Sequence, residues 1–216
     1  MPTSDYTHIP EVLQVVTQCQ PKSVLDVGVG YGKWGVLLRE VLEIYEKRYS
    51  PTEWTTRIDG IEAHEPYRNV LWGATYNQVC IGDAFQLLDT AGHYDLVLCG
   101  DVIEHFEKPQ GLLLLQKMLA KGTVVVVTSP RIFIPQGAEY ENSFEIHRSL
   151  WSEADFAMPH LYMDIGLTFM AVLSNDRAAI DGLNIRNPLE RLGARRVGAG
   201  LAQMLLRRCK QRLTGK

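Results

Sequence analysis

The stretch SVLDVGVGYGKWG, residues 23–35, decides the fold. Its first half, SVLDV, is a short apolar run around one acid, which predicts a buried strand. The closely spaced glycines that follow permit positive φ and let a ligand approach the bare backbone. From Lys33 to about Arg48 the apolar residues recur with helical spacing. A strand, a glycine turn and a helix N-terminus together predict a ligand-binding crevice.

Two cofactor classes fit this crevice on the residues alone. Gly30, Gly32 and Gly35 match the G-x-G-x-x-G pattern of dinucleotide-binding folds, which is a weak signal without its context. In the other interpretation, Asp26 stands before a glycine series that begins at Gly28, and its carboxylate holds the ammonium end of an amino-acid-like ligand. The rest of the chain has to decide between them.

The alternation of strands and helices continues along the chain. Four further segments have the apolar or β-branched character of strands, and helical segments separate them. These four are RIDGIEA, residues 79–81, YDLVLC and TVVVVTSP. Such serial β-α units predict an α/β, doubly wound, mostly parallel sheet with right-handed crossovers. HLYMDIG and LTFMAVLS then predict a closing antiparallel pair, and SEADF a short helix.

The composition predicts one cytoplasmic catalytic-sized domain. The chain has 216 residues, of which 46% are hydrophobic, enough for one sizeable core. Its start lacks the features of a signal peptide, and its longest apolar runs are too short to span a bilayer. The four cysteines form no C-x-x-C pair, so neither structural zinc nor disulfides are expected.

Charge is distributed unevenly along the chain. Residues 177–216 contain ten Lys or Arg and two acids, whereas the whole chain has a net charge of -3. The acidic body disfavours nucleic acid as a partner, so only the tail would engage it. The tail pattern over residues 187–216 is that of a basic amphipathic helix, which lies on an anionic membrane, binds a partner or tracks phosphates. Docking on its own core or on the second copy of a homodimer is the alternative, and membrane contact is not favoured.

Two acids follow the second and third predicted strands. Glu62 ends the second strand, where an acid can accept both hydroxyls of a ribose. Asp83 follows the third strand and can accept a hydrogen bond from an adenine amino group, while Ala84 offers its backbone N–H. The alternatives are a solvated strand-end acid at Glu62 and a helix N-cap at Asp83, and Asp83 can serve both purposes.

The order DVGVGYG, IEA, GDA and YDLVLCGDVIEHF resembles the class I S-adenosylmethionine-dependent methyltransferases across about residues 10–175. The resemblance implies a Rossmann-like, seven-stranded, mostly parallel sheet with a C-terminal antiparallel hairpin. It also implies a methyltransferase domain over residues 1–176, with a basic helical tail over residues 177–216. S-adenosyl-L-methionine is the implied cofactor. Its implied contacts are Asp26, Gly28, Gly30 and Gly32 at the methionine part, Glu62 at the ribose, and Asp83 with Ala84 at the adenine.

The segment after the fourth strand carries ionisable groups that suit catalysis. Asp101, Glu104 and His105 have the i, i+3, i+4 spacing that predicts one shared face at the crevice. Residues 131–149 form a long irregular stretch, which predicts a lid, and His147 lies in it. An alcohol is barely ionised at neutral pH, so methyl transfer to oxygen needs a base or a Lewis acid. These four residues are therefore the candidate catalytic groups.

The pair of strings DVIEH and HRSLWSEADF resembles two metal-dependent groups, the small-RNA terminal 2′-O-methyltransferases and the ubiquinone-type O-methyltransferases. The resemblance implies Asp101, Glu104, His105 and His147 as ligands of Mg²⁺ or Mn²⁺, with Zn²⁺ also compatible. Asp101 stands where the RNA-modifying group has a longer Glu. The alternatives are a metal-free base, or a turn that Glu104 and His105 only brace.

Three functions follow from these residues. The favoured hypothesis is O-methylation of a small-molecule or glycan-linked acceptor, because the lid places aromatic residues beside an amide at Gln136, as suits a flat or ring-shaped acceptor. A metal-dependent RNA 2′-O-methyltransferase is the second. A non-catalytic cofactor-binding or partner-binding module is the third.

Overall fold

The computed structural model describes residues 4–138 and 141–186. The strands are β1 Ser23–Val27, β2 Arg57–Glu62, β3 Gln78–Ile81, β4 Tyr94–Gly100, β5 Gly122–Pro130, β6 His160–Ile165 and β7 Thr168–Leu173. The helices are α1 Ile9–Cys19, α2 Lys33–Arg39, α3 Val70–Thr75, α4 Ala84–Thr90, α5 Lys108–Lys121 and α6 Ala178–Asp181.

One seven-stranded sheet organises the chain, in the order β3-β2-β1-β4-β5-β7-β6. The first five strands are parallel, and β7 runs antiparallel to both β5 and β6. The predicted doubly wound sheet with a closing antiparallel pair is confirmed. The carboxyl ends of the five parallel strands meet at one edge, where open α/β sheets bind their ligands.

Helices cover both faces of the sheet, which explains the continuous apolar runs in its central strands. In β5, Val124 and Val126 pack on the side of α1, α2 and α6, whereas Val125 and Val127 pack on the side of α4 and α5. A strand buried on both faces cannot alternate apolar and polar residues. The uninterrupted valines therefore indicate a central position in the sheet.

Two predicted helices are shorter than expected. The helix expected to reach Arg48 ends as α2 at Arg39 and continues as a π-helical turn, Glu40–Ile44. This turn presents the buried Glu43 carboxylate to two backbone N–H groups in the segment before β2, those of Thr55 and Thr56. SEADF forms only a 3₁₀ turn, because a reciprocal capping box between Ser152 and Asp155 closes it after three residues.

The start of the predicted tail packs on the domain. Ile180 in α6 is fully buried, and the side chains of Gln14 and Gln18 in α1 hydrogen-bond to the backbone of Arg186 and Asn184. The amphipathic helix predicted over residues 187–216 lies outside the described residues. The division into a domain and a tail stays a prediction. Within the described residues, no helix is both long and apolar enough to cross a bilayer.

Candidate active site

A cavity of about 680 Å³ opens at the carboxyl ends of the parallel strands. This volume lies in the usual range of small-molecule sites. The glycine loop after β1, the ends of β2, β3 and β4, and the loop 131–149 supply its wall. The predicted site residues on this wall are Gly28, Gly30, Glu62, Asp83, Ala84, Asp101 and His105.

The glycine loop has the backbone that its sequence predicts. Gly28, Gly30 and Gly32 all have positive φ, at 89°, 53° and 88°. A Cβ on Gly28 would lie 2.3 Å from Cγ2 of Val102, so no other residue fits there without a shift of the turn after β4. Gly32 lies beyond the wall and serves as the N-cap of α2.

Asp26 lies beneath this loop and, among the described residues, outside the cavity wall. Its carboxylate is fully buried and accepts a 2.6 Å hydrogen bond from the Tyr76 hydroxyl, while its Oδ1 has no partner in the described chain. Burial raises the pKa of Asp26 from 3.8 to about 7. The alternation of side chains along β1 turns Asp26 toward α2 and α3, so it is not on the cavity wall. The contact with the ammonium end of a ligand that the sequence predicts for Asp26 stays a prediction.

Glu62 presents a fixed carboxylate at the end of β2. Its two oxygens accept 2.8 Å hydrogen bonds from the backbone N–H groups of Gly30 and His64. The side chain is 7% exposed, and burial raises its pKa. The backbone thus holds this acid in one orientation on the cavity wall.

Asp83 stands on the wall as the N-cap of α4. Its carboxylate accepts a 2.8 Å hydrogen bond from the Phe85 N–H. Phe85 and Phe106 pack edge to face with ring centroids 5.4 Å apart, and both line the cavity beside Ala84. Neither phenylalanine is predicted from the sequence, and the only signal for them is their position directly after wall residues.

Described residues of the loop 131–149, in which the sequence predicts a lid, reach the cavity. Residues 142–145 and Arg148 line it. A buried polar network ties this loop to the segment after β2: the Tyr67 hydroxyl donates to Glu145 at 2.9 Å and accepts from Asn142 at 3.0 Å. At the end of the loop, the carbonyl oxygen of Glu104 accepts hydrogen bonds from the backbone N–H groups of Arg148 and Ser149. Neither Tyr67 nor Asn142 is predicted as a site residue from the sequence.

Glu104, His105 and His147 come together at the lid side of the cavity. Each offers one ligand atom, and these atoms lie within 4.8 Å of one another. The His105 and His147 rings meet edge to face with centroids 5.0 Å apart, and His105 is on the cavity wall. Burial and the neighbouring His147 lower the pKa of His105 to about 4, and burial lowers that of His147. Both imidazoles are therefore neutral at pH 7.

Glu104 is almost completely buried beside this pair. Its Oε2 accepts a 3.0 Å hydrogen bond from the Ser129 hydroxyl. Burial, together with the nearby Asp101 carboxylate, raises the pKa of Glu104 well above its usual range. The three side chains offer two imidazole nitrogens and one carboxylate oxygen, a donor set that suits a divalent transition metal such as Mn²⁺.

Asp101 does not join this group. It has a positive φ of 54° and its carboxylate faces the N-terminal segment, where it accepts the Asp5 N–H at 2.6 Å. The turn that follows is a 3₁₀ turn, Ile103–His105, which directs Glu104 into the core. The i, i+3, i+4 spacing predicted one shared face for Asp101, Glu104 and His105. Because the chain is not α-helical there, Asp101 and His105 line the cavity whereas Glu104 is buried. The catalytic and metal-binding roles of the three residues stay predictions.

The wall fits the S-adenosylmethionine that the resemblance implies. A fixed carboxylate at the end of the second strand is where nucleotide-binding sheets hold ribose hydroxyls, and Glu62 meets that condition. The glycine loop leaves room for a ligand beside the backbone of Gly28 and Gly30. Asp83 and the two phenylalanines supply a polar acceptor and apolar faces for a flat ring.

Comparison with known proteins gives a consistent result. A family model described as "Methyltransferase domain" matches residues 8–163. No curated protein matches the chain. Solved structures with a similar fold include "PigF with SAH", with 15% identity and a TM-score of 0.53 over 77% of this chain and 55% of that one.

Two further solved structures extend the comparison. The mitomycin 7-O-methyltransferase MmcR has 13% identity and a TM-score of 0.53 over 78% of this chain and 54% of its own. The N-methyltransferase NodS from Bradyrhizobium japonicum WM9 has 13% identity and a TM-score of 0.51, over 77% and 92%. The chain thus spans little more than half the length of PigF and MmcR. At identities of 13% and 15%, this similarity shows a shared fold alone.

The family match covers most of the chain and includes all the parallel strands that build the cavity. The sheet order and the glycine loop agree with it. The chain belongs to the methyltransferase domain family.

Proposed function

We propose that the protein transfers a methyl group to a hydroxyl of a small-molecule or glycan-linked acceptor that binds under the loop 131–149. The observation that carries the proposal is the neutral His105 imidazole on the cavity wall, edge to face with His147. When bound, S-adenosylmethionine supplies an electrophilic methyl group on a sulfonium sulfur.

The hydrogen bonding of His105 suits it to accept a proton. Its Nδ1 lies 3.3 Å from the carbonyl oxygen of Ile146, which can only accept, so Nδ1 carries the hydrogen and Nε2 keeps a lone pair. Nε2 can therefore take the hydroxyl proton as the oxygen attacks the methyl group. Because a pKa near 4 makes a weak base, the reaction depends strongly on how the acceptor hydroxyl is positioned against the methyl group.

A second candidate mechanism uses a divalent cation at the same place. The ligand atoms of Glu104, His105 and His147 within 4.8 Å of one another favour it, and neutral imidazole is the form that binds metals. Such an ion would lower the pKa of an acceptor hydroxyl that binds beside it. A chelator separates the two mechanisms: turnover by a metal-free base survives it, whereas turnover through an ion is lost and returns with Mn²⁺ or Mg²⁺.

The test measures release of S-adenosylhomocysteine with a panel of phenols, sugars, glycan-linked hydroxyls and short RNAs. With an accepted substrate, His105→Gln should lower turnover by about 10²- to 10⁴-fold and leave binding of S-adenosylhomocysteine unchanged. His93→Gln is the matched control, because His93 is exposed, away from the cavity wall, and hydrogen-bonds to Thr123. Unchanged turnover in His105→Gln would contradict the proposal, and methylation of the RNA alone would favour the RNA-modifying alternative.

A further inference from the structure

One peptide group of the N-terminal segment lies between two opposite charges. Lys33 Nζ donates to the carbonyl oxygen of Ser4 at 2.6 Å, and the N–H of Asp5 donates to Asp101 Oδ2 at 2.6 Å. This carbonyl and this N–H belong to the same peptide unit. Lys33 and Asp101 thus bind one acceptor and one donor placed side by side.

Both charged side chains lie on the cavity wall next to the glycine loop. Lys33 is half-buried at the start of α2, and the Asp101 side chain is 14% exposed at the end of β4. The Thr128 hydroxyl donates to Asp101 Oδ1 at 3.1 Å, so the carboxylate has a fixed orientation. The Lys33 ammonium lies 5.1 Å from the centre of the Trp34 ring. The cation and the anion are therefore both oriented by the protein.

This end of the cavity still needs partners for the amino-acid part of the cofactor. That part carries a carboxylate and an ammonium on one carbon, and each needs a charged or polar partner when it leaves water. Asp26 is buried beneath the loop and bonded to Tyr76. Among the described wall residues close to the glycine loop, Lys33 and Asp101 have the complementary charges.

We propose that Lys33 and Asp101 bind the amino-acid end of S-adenosylmethionine, with Lys33 on the carboxylate and Asp101 on the ammonium. The peptide group between Ser4 and Asp5 occupies their place in the structure, because its carbonyl accepts and its N–H donates as those two groups do. Hydrogen bonds between two charged groups are stronger than those to a peptide, so the cofactor displaces it. The assignment rests on S-adenosylmethionine as the cofactor of the proposed function. It does not depend on which acceptor is methylated.

The test compares two ligands by calorimetry. S-adenosylhomocysteine has the amino-acid end, whereas 5′-methylthioadenosine has the same nucleoside and thioether without it. Lys33→Met and Asp101→Asn should each weaken S-adenosylhomocysteine binding by about tenfold or more and leave methylthioadenosine binding within about twofold. Asparagine is chosen at position 101 because it tolerates positive φ.

Two control variants define the result. Glu62→Gln, at the predicted ribose position, should weaken both ligands alike, and Lys33→Arg, which keeps the charge, should retain most of the S-adenosylhomocysteine affinity. Thermal unfolding of each variant verifies the fold first. Equal losses for both ligands in Lys33→Met and Asp101→Asn, or no loss for either, would overturn the assignment. Failure of the wild type to bind S-adenosylhomocysteine would instead contradict the cofactor itself.

Amide hydrogen exchange of the wild-type protein tests the displacement without any substitution. The Asp5 N–H bonded to Asp101 should exchange faster with S-adenosylhomocysteine bound than with methylthioadenosine bound. An equal or slower rate would mean that Lys33 and Asp101 keep holding the N-terminal segment, and the proposal would then be wrong.

Discussion

The two sides of the cavity are built in different ways. On the cofactor side, Glu62 ends β2, Asp83 follows the end of β3, and both accept hydrogen bonds from backbone N–H groups. On the acceptor side, the loop 131–149 is held by partners far away in the chain, as in the bond between Tyr67 and Glu145. A strand end thus fixes a side chain through the sheet, whereas a loop needs separate anchors.

The main apolar anchor of the loop is Trp151, just beyond its end. This indole is 1% exposed, stacks on Phe156, and donates from Nε1 to the Ser149 hydroxyl at 2.8 Å. Gly111 in α5 makes room for it, since a Cβ there would lie 2.3 Å from Cζ2 of the ring. The acceptor side therefore depends on the contact of Trp151, just beyond the loop, with α5, which packs on the same face of the sheet as α4.

The largest expected effect comes from removing this anchor. Trp151→Ala should lower the free energy of unfolding by about 3–5 kcal/mol, because it leaves a large cavity against α5. Urea unfolding followed by circular dichroism measures it. Because the cofactor side does not use this contact, the folded variant should bind S-adenosylhomocysteine within about twofold of wild type while turnover falls.

Leu150→Ala is the control for this variant, since Leu150 is the exposed neighbour of Trp151. It should change the free energy of unfolding by less than about 0.5 kcal/mol. A loss of cofactor affinity in Trp151→Ala as large as the loss of turnover would show that the two sides of the cavity are not independent.

The same difference explains what the sequence could predict. The order of strands, the glycine loop, and the wall positions of Glu62, Asp83 and Ala84 were predictable, because each follows from an apolar run and the residues next to it. Local patterns of this kind determine where a strand ends. The lid was predictable only as a long irregular segment.

Side-chain direction was not predictable where it depends on distant residues. Asp26 is turned from the cavity toward Tyr76, fifty residues later in the chain, and Asp101 takes a positive φ beside Asp5 near the N-terminus. The bond between Tyr67 and Asn142 joins segments that only the folded sheet brings together. No spacing in the sequence encodes these contacts.

An intermediate effect is expected at Asp26, where the motif and the structure differ. Burial raises the pKa of Asp26 from 3.8 to about 7, so between these pH values the folded state binds more protons than the unfolded state. Stability therefore falls as pH rises through this window, by up to about 1.4 kcal/mol per pH unit. Asp26→Asn removes this dependence. The free energy of unfolding of the variant minus that of wild type should therefore increase from pH 4 to pH 7.

Urea unfolding of both proteins across this pH range measures the difference, in which the other titrating groups cancel. Because Asp26 lies beneath the wall, the variant should also bind S-adenosylhomocysteine within about twofold of wild type. Parallel pH profiles would contradict the raised pKa of Asp26. A loss of affinity of tenfold or more would instead support the ammonium contact that the sequence predicted for Asp26.

The smallest effect separates the two roles of Asp83. As an N-cap it accepts the Phe85 N–H, and Asp83→Ala should cost about 1 kcal/mol of stability. Serine is an equally good N-cap but lacks a carboxylate, so Asp83→Ser should keep the stability. If Asp83 also bonds to the adenine amino group, both variants weaken S-adenosylhomocysteine and methylthioadenosine alike. Full affinity in Asp83→Ser would reduce Asp83 to a cap, and adenine recognition would then rest on Phe85, Phe106 and the backbone around Ala84.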